Sequence, residues 1–194
     1  MIDEREKYRT IIGRILQGET QLFLIIVDDH KKLVSRMVWK MVYKSAERED
    51  ICQDIFLKVY KNLAKFKFEC KLSTWIAQIA YNSSLNFIDK KRVDLYDDFH
   101  TTHAGIQSLN DSGKDASQFI EEEDTSRRLQ LEMDKLPVNF RTALALFHLE
   151  EMKYEEISEI MGLPIGTVKS HIFRGRKILK EILEKKYKRE ELWL

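Results

Sequence analysis

Cysteine, proline and glycine are all scarce, with two, two and seven of them in 194 residues. Cys52 and Cys70 have no paired spacing and no run of histidines nearby. That excludes a disulfide framework and a structural zinc site, and leaves two reduced thiols, one on a helix and one in a loop. Both prolines come late, at Pro137 and Pro164, and no segment alternates β-branched with polar residues, so helices are the default reading. No apolar run approaches the ~18 residues of a membrane span. The opening Met1, Ile2, Asp3, Glu4, Arg5, Glu6, Lys7 lacks the basic start and apolar stretch of a secretory leader. A cytoplasmic protein without direct membrane insertion is expected. Also missing are a glycine-rich phosphate loop, a nucleophile elbow and an HExxH pattern, so the chain is read as no enzyme and as needing no cofactor. His100 and His103 stand near Asp97 and Asp98, but without further ligands, and no metal site is expected there.

What the chain does have is charge, at 34% of residues against a typical ~25%. The net value of +1 conceals a segregation. Residues 1–92 carry 18 Lys and Arg against 12 Asp and Glu, a surplus of +6. Residues 93–124 carry nine acids and only Lys114. Residues 164–189 carry nine basic side chains against Glu181 and Glu184. Two basic, apolar-periodic blocks around an acidic stretch holding Gly105, Gly113, Ser and Asp read as two folded units facing a polyanion, joined by a linker that repels it.

Apolar spacing then fills in the helices. Residues 3–17 predict a short helix. Thr20 is placed to cap a longer one whose Leu22, Phe23, Ile26, Val27, His30, Leu33, Val34, Met37, Val38, Met41 and Val42 recur at threes and fours. A third helix is expected over 48–64 with Ile51, Ile55, Phe56, Val59 and Leu63 inward. A fourth is expected over 73–92 with Trp75, Ile76, Ile79, Ala80, Leu85 and Ile88 inward. On the third, Asp50, Gln53, Asp54, Leu57, Lys58 and Lys61 form one stripe opposite the buried one, with Leu57 an apolar side chain on a polar face, as suits a small partner site. After about Phe119 the helical pattern returns through Leu129, Leu131, Met133 and Leu136, and then through Leu144, Leu146 and Leu149.

The last part is the most specific. Residues 153–161 read as a short helix with Tyr154, Ile157, Ile160 and Met161 inward. Gly162 can take the positive φ of a helix end, and Pro164 can open the next helix. That helix turns Val168, Ile172 and Ile178 inward and Thr167, Lys169, Ser170, His171, Arg174 and Lys177 largely outward. Such a pair is a helix-turn-helix, whose second helix enters a major groove and reaches phosphates and base edges.

With these residues in view, the chain resembles the extracytoplasmic-function subgroup of the sigma-70 family of RNA polymerase sigma factors. The stretch from Glu49 to Tyr60 is similar to the region 2 helix that docks on the polymerase clamp. The stretch from Ser73 to Asn82, continuing to Asp89, Lys90, Lys91 and Arg92, is similar to the promoter-melting segment. Leu136 and Pro137 open the region 4 pattern. Gly166, Thr167, Val168, Lys169, Ser170 and His171, with Arg174, Gly175 and Arg176, resemble its recognition helix. His171 and Gly175 stand where the pattern has Arg and Ala, and Tyr81 where a basic residue is common. These departures bear on base preference rather than on class.

The resemblance implies an all-α protein of two small helical domains, region 2 over 1–92 and region 4 over 118–194, joined by a flexible acidic linker over 93–117. It implies no catalytic residue, because melting can draw on captured unstacked bases and phosphate contacts. Thr167, Lys169, Ser170, His171, Arg174, Arg176 and Lys177 are the expected contacts to a double-stranded minus-35 element. Phe66, Lys67, Phe68, Lys71, Ser73, Thr74, Trp75, Asn82, Asn86, Lys90 and Arg92 are those to the single-stranded minus-10 element. The loop before Trp75 would grip a flipped base, although Phe66, Phe68 and Trp75 would equally serve to cap the core. Asp50, Gln53, Asp54, Leu57 and Lys58 would meet bacterial core RNA polymerase. An anti-sigma factor is a further partner class that the resemblance implies and no residue identifies. The runner-up is a transcriptional regulator with a LuxR-type helix-turn-helix, which the four helices expected before residue 93 disfavour.

Overall fold

The computed structural model describes residues 4–42, 45–99 and 128–186, with backbone alone at residues 45 and 91–99. Of the acidic connection expected at 93–117, residues 93–99 continue a helix, and the remainder, with His100 and His103, lies outside the described residues. The side chains of Asp97, Asp98 and Arg92 lie outside them too.

Every regular element among the described residues is helical. The N-terminal half comprises α1 (Glu4–Leu16), α2 (Phe23–Met41), α3 (Arg48–Asn62) and α4 (Leu72–Phe99). Helix α2 is central, with α3 and α4 packed on it and on each other. Its stripe of Ile26, Val34 and Val38 is fully buried against Ile55, Val59, Ile76, Ala77 and Ala80, as the spacing predicts. Each such large aliphatic side chain contributes about 1.5–3 kcal/mol through burial. Two ends differ from expectation. Thr20 makes no side-chain cap; it starts a 3-10 turn, Thr20–Leu22, and α2 begins at Phe23. Helix α4 runs past Arg92 to Phe99, because no Gly or Pro interrupts 72–99.

The C-terminal half comprises a helical stretch, α5, described over 128–133, then α6 (Val138–His148), α7 (Tyr154–Met161) and α8 (Ile165–Lys186). Leu129 and Leu131, placed on an apolar pattern by sequence, are 40% and 54% exposed. The inward side of α5 is taken by Met133 and by Glu132, a fully buried carboxylate held by Lys135 at 2.8 Å and Lys186 at 2.5 Å. Leu149, at the end of α6, is exposed as well.

Helix α8 lies so close to α6 that a Cβ on Gly175 would stand 2.9 Å from Leu144 Cδ1 and 3.3 Å from Phe140 Cβ. The departure from Ala at this position therefore has a packing reason.

The two halves pack on each other, α6 against α2 and α7 against α4, around one continuous apolar core. Polar contacts fasten the seam. Arg141 of α6 is 7% exposed and donates from Nη2 to Met41 O at 3.2 Å, satisfying a carbonyl at the C-terminus of α2. Arg36 of α2 grips both carboxylate oxygens of Glu150. Burial holds the Arg141 guanidinium below its usual range, with Asp134 opposing and Arg48 reinforcing that shift.

Candidate nucleic-acid interface

Three surfaces gather the residues singled out from sequence. On the first, Gly162 ends α7 in the left-handed region at φ 63°, and the turn is closed by Ser158 Oγ donating to Leu163 O at 2.5 Å. Pro164 O accepts the amide hydrogens of Thr167 and Val168, starting α8. Ile157, Ile160, Val168 and Ile172 are buried between the two helices, so their angle is fixed by packing. Lys169, Arg174, Arg176 and Lys177 are exposed, the Lys169 ammonium lying over the Tyr154 ring, whereas Thr167, Ser170 and His171 are half-buried.

His171 sits edge-on to Phe140, with ring centroids 5.1 Å apart, and its Nδ1 is buried without a hydrogen-bond partner. Burial, then the Arg174 charge, holds its pKa below the usual range. Arg176 is engaged within the fold: Nε donates to His148 Nε2 at 3.0 Å, and the guanidinium lies over the Phe147 ring. His148 accepts that bond as a neutral imidazole, and burial followed by the Arg176 charge lowers its pKa. Sequence reasoning missed Phe173, which is 69% exposed between Lys169 and Lys177 on the same face. The signal was available, since it is an apolar residue amid a polar stripe, as with Leu57. A ring there suits a thymine methyl.

The second surface is the loop after α3 and the face of α4. Phe66 is 7% exposed and packs against Phe68 and Trp75, with centroids 4.6 and 5.1 Å apart. Of the two roles weighed for these rings, Phe66 fills the core one, while Phe68 and Trp75 are half-buried. Phe68 has φ 61°, a left-handed conformation rare for an aromatic residue. Lys67 is exposed, Ser73 half-buried, and Thr74 only 3% exposed, so in this form Thr74 is a packing residue. Asn82, Asn86 and Lys90 are exposed in a row along α4, one turn apart.

Helices α6 and α7 bear on this surface. Lys71 pairs with Glu156 at 2.8 Å, Gln78 Nε2 donates to Glu159 O at 3.2 Å, and Tyr81 Oη donates to Asn139 Oδ1 at 3.3 Å. Burial works against the Glu156 charge, but its hydrogen bonds from Lys71 and from the Lys153 amide outweigh that and hold the carboxyl below its usual range. Tyr81, which departs from the basic pattern, is 4% exposed and serves this seam.

The third surface is α3, where Asp50, Gln53, Asp54, Leu57 and Lys58 are all exposed, opposite buried Ile51, Ile55 and Val59. Leu57 is 55% exposed and Tyr60, one turn on, 40%, which enlarges the apolar spot that sequence located. Lys58 leans back to Ser83 Oγ at 3.0 Å. Among the described residues no cluster of ligating side chains could hold a metal, and no helix is long and apolar enough to cross a membrane.

Comparison with known proteins gives the same division. Residues 26–93 match the family model for sigma-70 region 2, and residues 126–179 match that for sigma-70 region 4. The chain is 33% identical over 178 residues to the ECF RNA polymerase sigma factor SigW of Bacillus subtilis, covering 89% of this chain and 94% of that protein. It is 27% identical over 179 residues to the ECF RNA polymerase sigma-E factor of Escherichia coli K12, covering 88% and 91%. Among solved structures, CnrH in complex with the cytosolic domain of CnrY has the same fold, with TM-score 0.65, 17% identity, and 92% and 98% of the two chains covered. So has the sigma factor RpoE with the anti-sigma factor NepR from Bartonella quintana, with TM-score 0.61, 20% identity, and 87% and 98% covered.

Proposed function

The chain belongs to the extracytoplasmic-function subgroup of the sigma-70 family and is an RNA polymerase sigma factor, and from that premise we propose how its three surfaces divide the work. Region 2 spans 1–92 and region 4 spans 118–194, joined by 93–117. The α3 stripe of Asp50, Gln53, Asp54, Leu57 and Lys58 docks on the polymerase clamp. The α8 face of Thr167, Lys169, Ser170, His171, Arg174 and Lys177, with Phe173 added and Arg176 partly committed to His148, reads duplex DNA at the minus-35 element. The 66–75 loop and the α4 row of Asn82, Asn86, Lys90 and Arg92 hold the opened minus-10 strand. The protein is a specificity subunit rather than an enzyme, acting in the cytoplasm with the polymerase.

The observation that carries this reading is the coexistence of an exposed basic recognition face on α8 with a second, separate aromatic and amide-bearing face on α4. A LuxR-type regulator would need a sensing domain in place of the latter, and residues 26–93 instead match sigma region 2.

Reading two elements requires the halves to part. Elements centred about 25 base pairs apart lie about 85 Å apart at ~3.4 Å per pair. A compact chain of this length has a radius of gyration of only about 16 Å. The packed arrangement is thus a resting form, and Glu156 occupies Lys71 where a phosphate would bind. Both solved complexes named above hold such a fold with a bound partner, one of them named as an anti-sigma factor, which supports that partner class for the resting form.

The deciding experiment adds the purified protein to bacterial core RNA polymerase and sequences transcripts from fragmented source DNA. Start sites that share two spaced upstream elements and depend on this protein are expected. Duplex binding without core binding would return the regulator reading.

A further inference from the structure

Helix α1 lies before the residues matched to region 2, and none of the surfaces above uses it. Two of its arginines nonetheless reach the minus-10 loop. Arg5 Nη2 donates to Phe68 O at 2.6 Å, a charge-assisted bond to the one loop residue in the left-handed region. One turn on, the Arg9 guanidinium lies over the Phe68 ring at 5.3 Å. Backbone and ring of the same residue are therefore held from the same helix. A bulky side chain at φ 61° persists only where its surroundings over-determine it, and these two arginines are such surroundings.

The brace is itself anchored. Tyr8, Ile12 and Ile15 are buried, and Lys7 and Tyr8 both bond Asp29 of α2, at 2.8 and 3.0 Å. Between α1 and the loop lies a cavity of about 360 Å³, walled by Glu4, Arg5 and Tyr8 on one side and by Phe66, Phe68 and Lys71 among others on the opposite side. That size falls in the range of small-ligand pockets. Its walls offer aromatic faces, cationic donors and carboxylate acceptors, the set that recognises an unpaired base by stacking and edge hydrogen bonds.

Resting on the sigma-factor reading, we infer that α1 forms the second wall of the pocket for an unpaired minus-10 base, with Arg5 and Arg9 as positioning residues that keep Phe68 in its left-handed conformation. Without them Phe68 relaxes towards φ below zero, its ring leaves the pocket, and the base loses its seat. Elsewhere in the minus-10 window, and at the minus-35 element, recognition is untouched.

The test uses the full chain assembled with bacterial core polymerase, selecting initiating templates from duplex libraries randomised across the minus-10 window and, separately, the minus-35 window. Arg5→Ala is expected to lower base preference at one minus-10 position, or two adjacent ones, about tenfold, leaving the minus-35 profile within twofold of wild type. Arg9→Ala gives a smaller loss at the same position, and Arg5→Lys, which still donates to Phe68 O, restores most of it. In a Phe68→Gly background, where left-handed backbone costs nothing, Arg5→Ala adds no further loss. Profiles within twofold of wild type for both Arg5→Ala and Arg9→Ala overturn the inference, as does an equal decline across both windows, which would make α1 a stabilising element only. A wild-type protein that supports no initiation overturns the sigma-factor reading instead.

Discussion

The two halves differ in how far their proposed DNA-facing surfaces are engaged within the fold: Lys67, Asn82, Asn86 and Lys90 are as open as the α8 face, but the ground around Lys71 to Tyr81 is not. In the C-terminal half, Lys169, Phe173, Arg174 and Lys177 are exposed along α8. In the N-terminal half, Lys71 is paired to Glu156, Thr74 is buried, and Gln78 and Tyr81 are tied to α7 and α6. Helix α7 contributes to both conditions. The apolar side of α7, with Ile157 and Ile160, packs under α8, while its acidic Glu156 and the Glu159 carbonyl engage Lys71 and Gln78 of the proposed melting surface. On the proposed division of work, the packed molecule leaves the duplex-reading face free and engages part of the melting face. That order suits a factor whose melting surface should act only once polymerase and promoter are engaged.

Breaking α7 should have the largest effect, because it contributes to both conditions. Ile157→Ala removes a fully buried side chain and should cost about 2–5 kcal/mol. Thermal unfolding followed by circular dichroism measures this, and a melting temperature unchanged within a degree would contradict the burial. Next, Lys169→Ala and Arg174→Ala should each weaken duplex promoter binding by about 1–3 kcal/mol or reduce the salt slope by about one, according to whether the side chain meets a base edge or a phosphate. Salt titrations decide; unchanged affinity and slope in both variants would remove α8 from the groove.

Lys71→Glu sharpens the comparison by setting a repulsion against Glu156 while leaving that carboxylate's bond to the Lys153 amide in place. Replacing the pair by a repulsion should shift the closed form towards the open by about fivefold, ~1 kcal/mol, since exposed pairs contribute little more. Small-angle scattering should show a larger radius of gyration with duplex affinity unaltered, and unchanged dimensions would mean that apolar packing alone holds the seam.

The smallest effect is that of pH. His148 and His171, both in the C-terminal half, have lowered pKa values in the fold, so the unfolded chain takes up protons first as pH falls. Stability from this source is fully present above about pH 6.5, the ordinary histidine value, and declines as pH drops towards the folded values. A melting temperature that falls modestly between pH 7.5 and 5.5 is expected, and His148→Gln should flatten part of the fall. A melting temperature rising over that interval would reverse the sign.

Much of this was legible in the sequence. Threes-and-fours spacing located α2, α3 and the buried stripes of both, and Gly162 with Pro164 marked the turn before α8 at the observed places. Asp50, Gln53, Asp54, Leu57 and Lys58 were read onto one exposed face, where they stand. What failed to show were features with distant partners. Thr20 has the composition of a cap, yet α2 enters through a 3-10 turn. Leu129 and Leu131 continued the helical pattern in the sequence, yet Glu132 takes the inward place, held there by Lys135 and by Lys186, 54 residues on. Arg176 read as a DNA contact, and its engagement with His148 depends on how α6 meets α8.

The sequence by itself determined the helices, the two basic blocks and the class of protein, since periodicity and motif spacing are properties of neighbours along the chain. Only the tertiary structure decided that α7 covers α4, that α1 braces Phe68, and that Phe66 and Thr74 face inward. Those depend on which helix faces meet across tens of residues, and surface complementarity between distant segments leaves no period in the sequence to read.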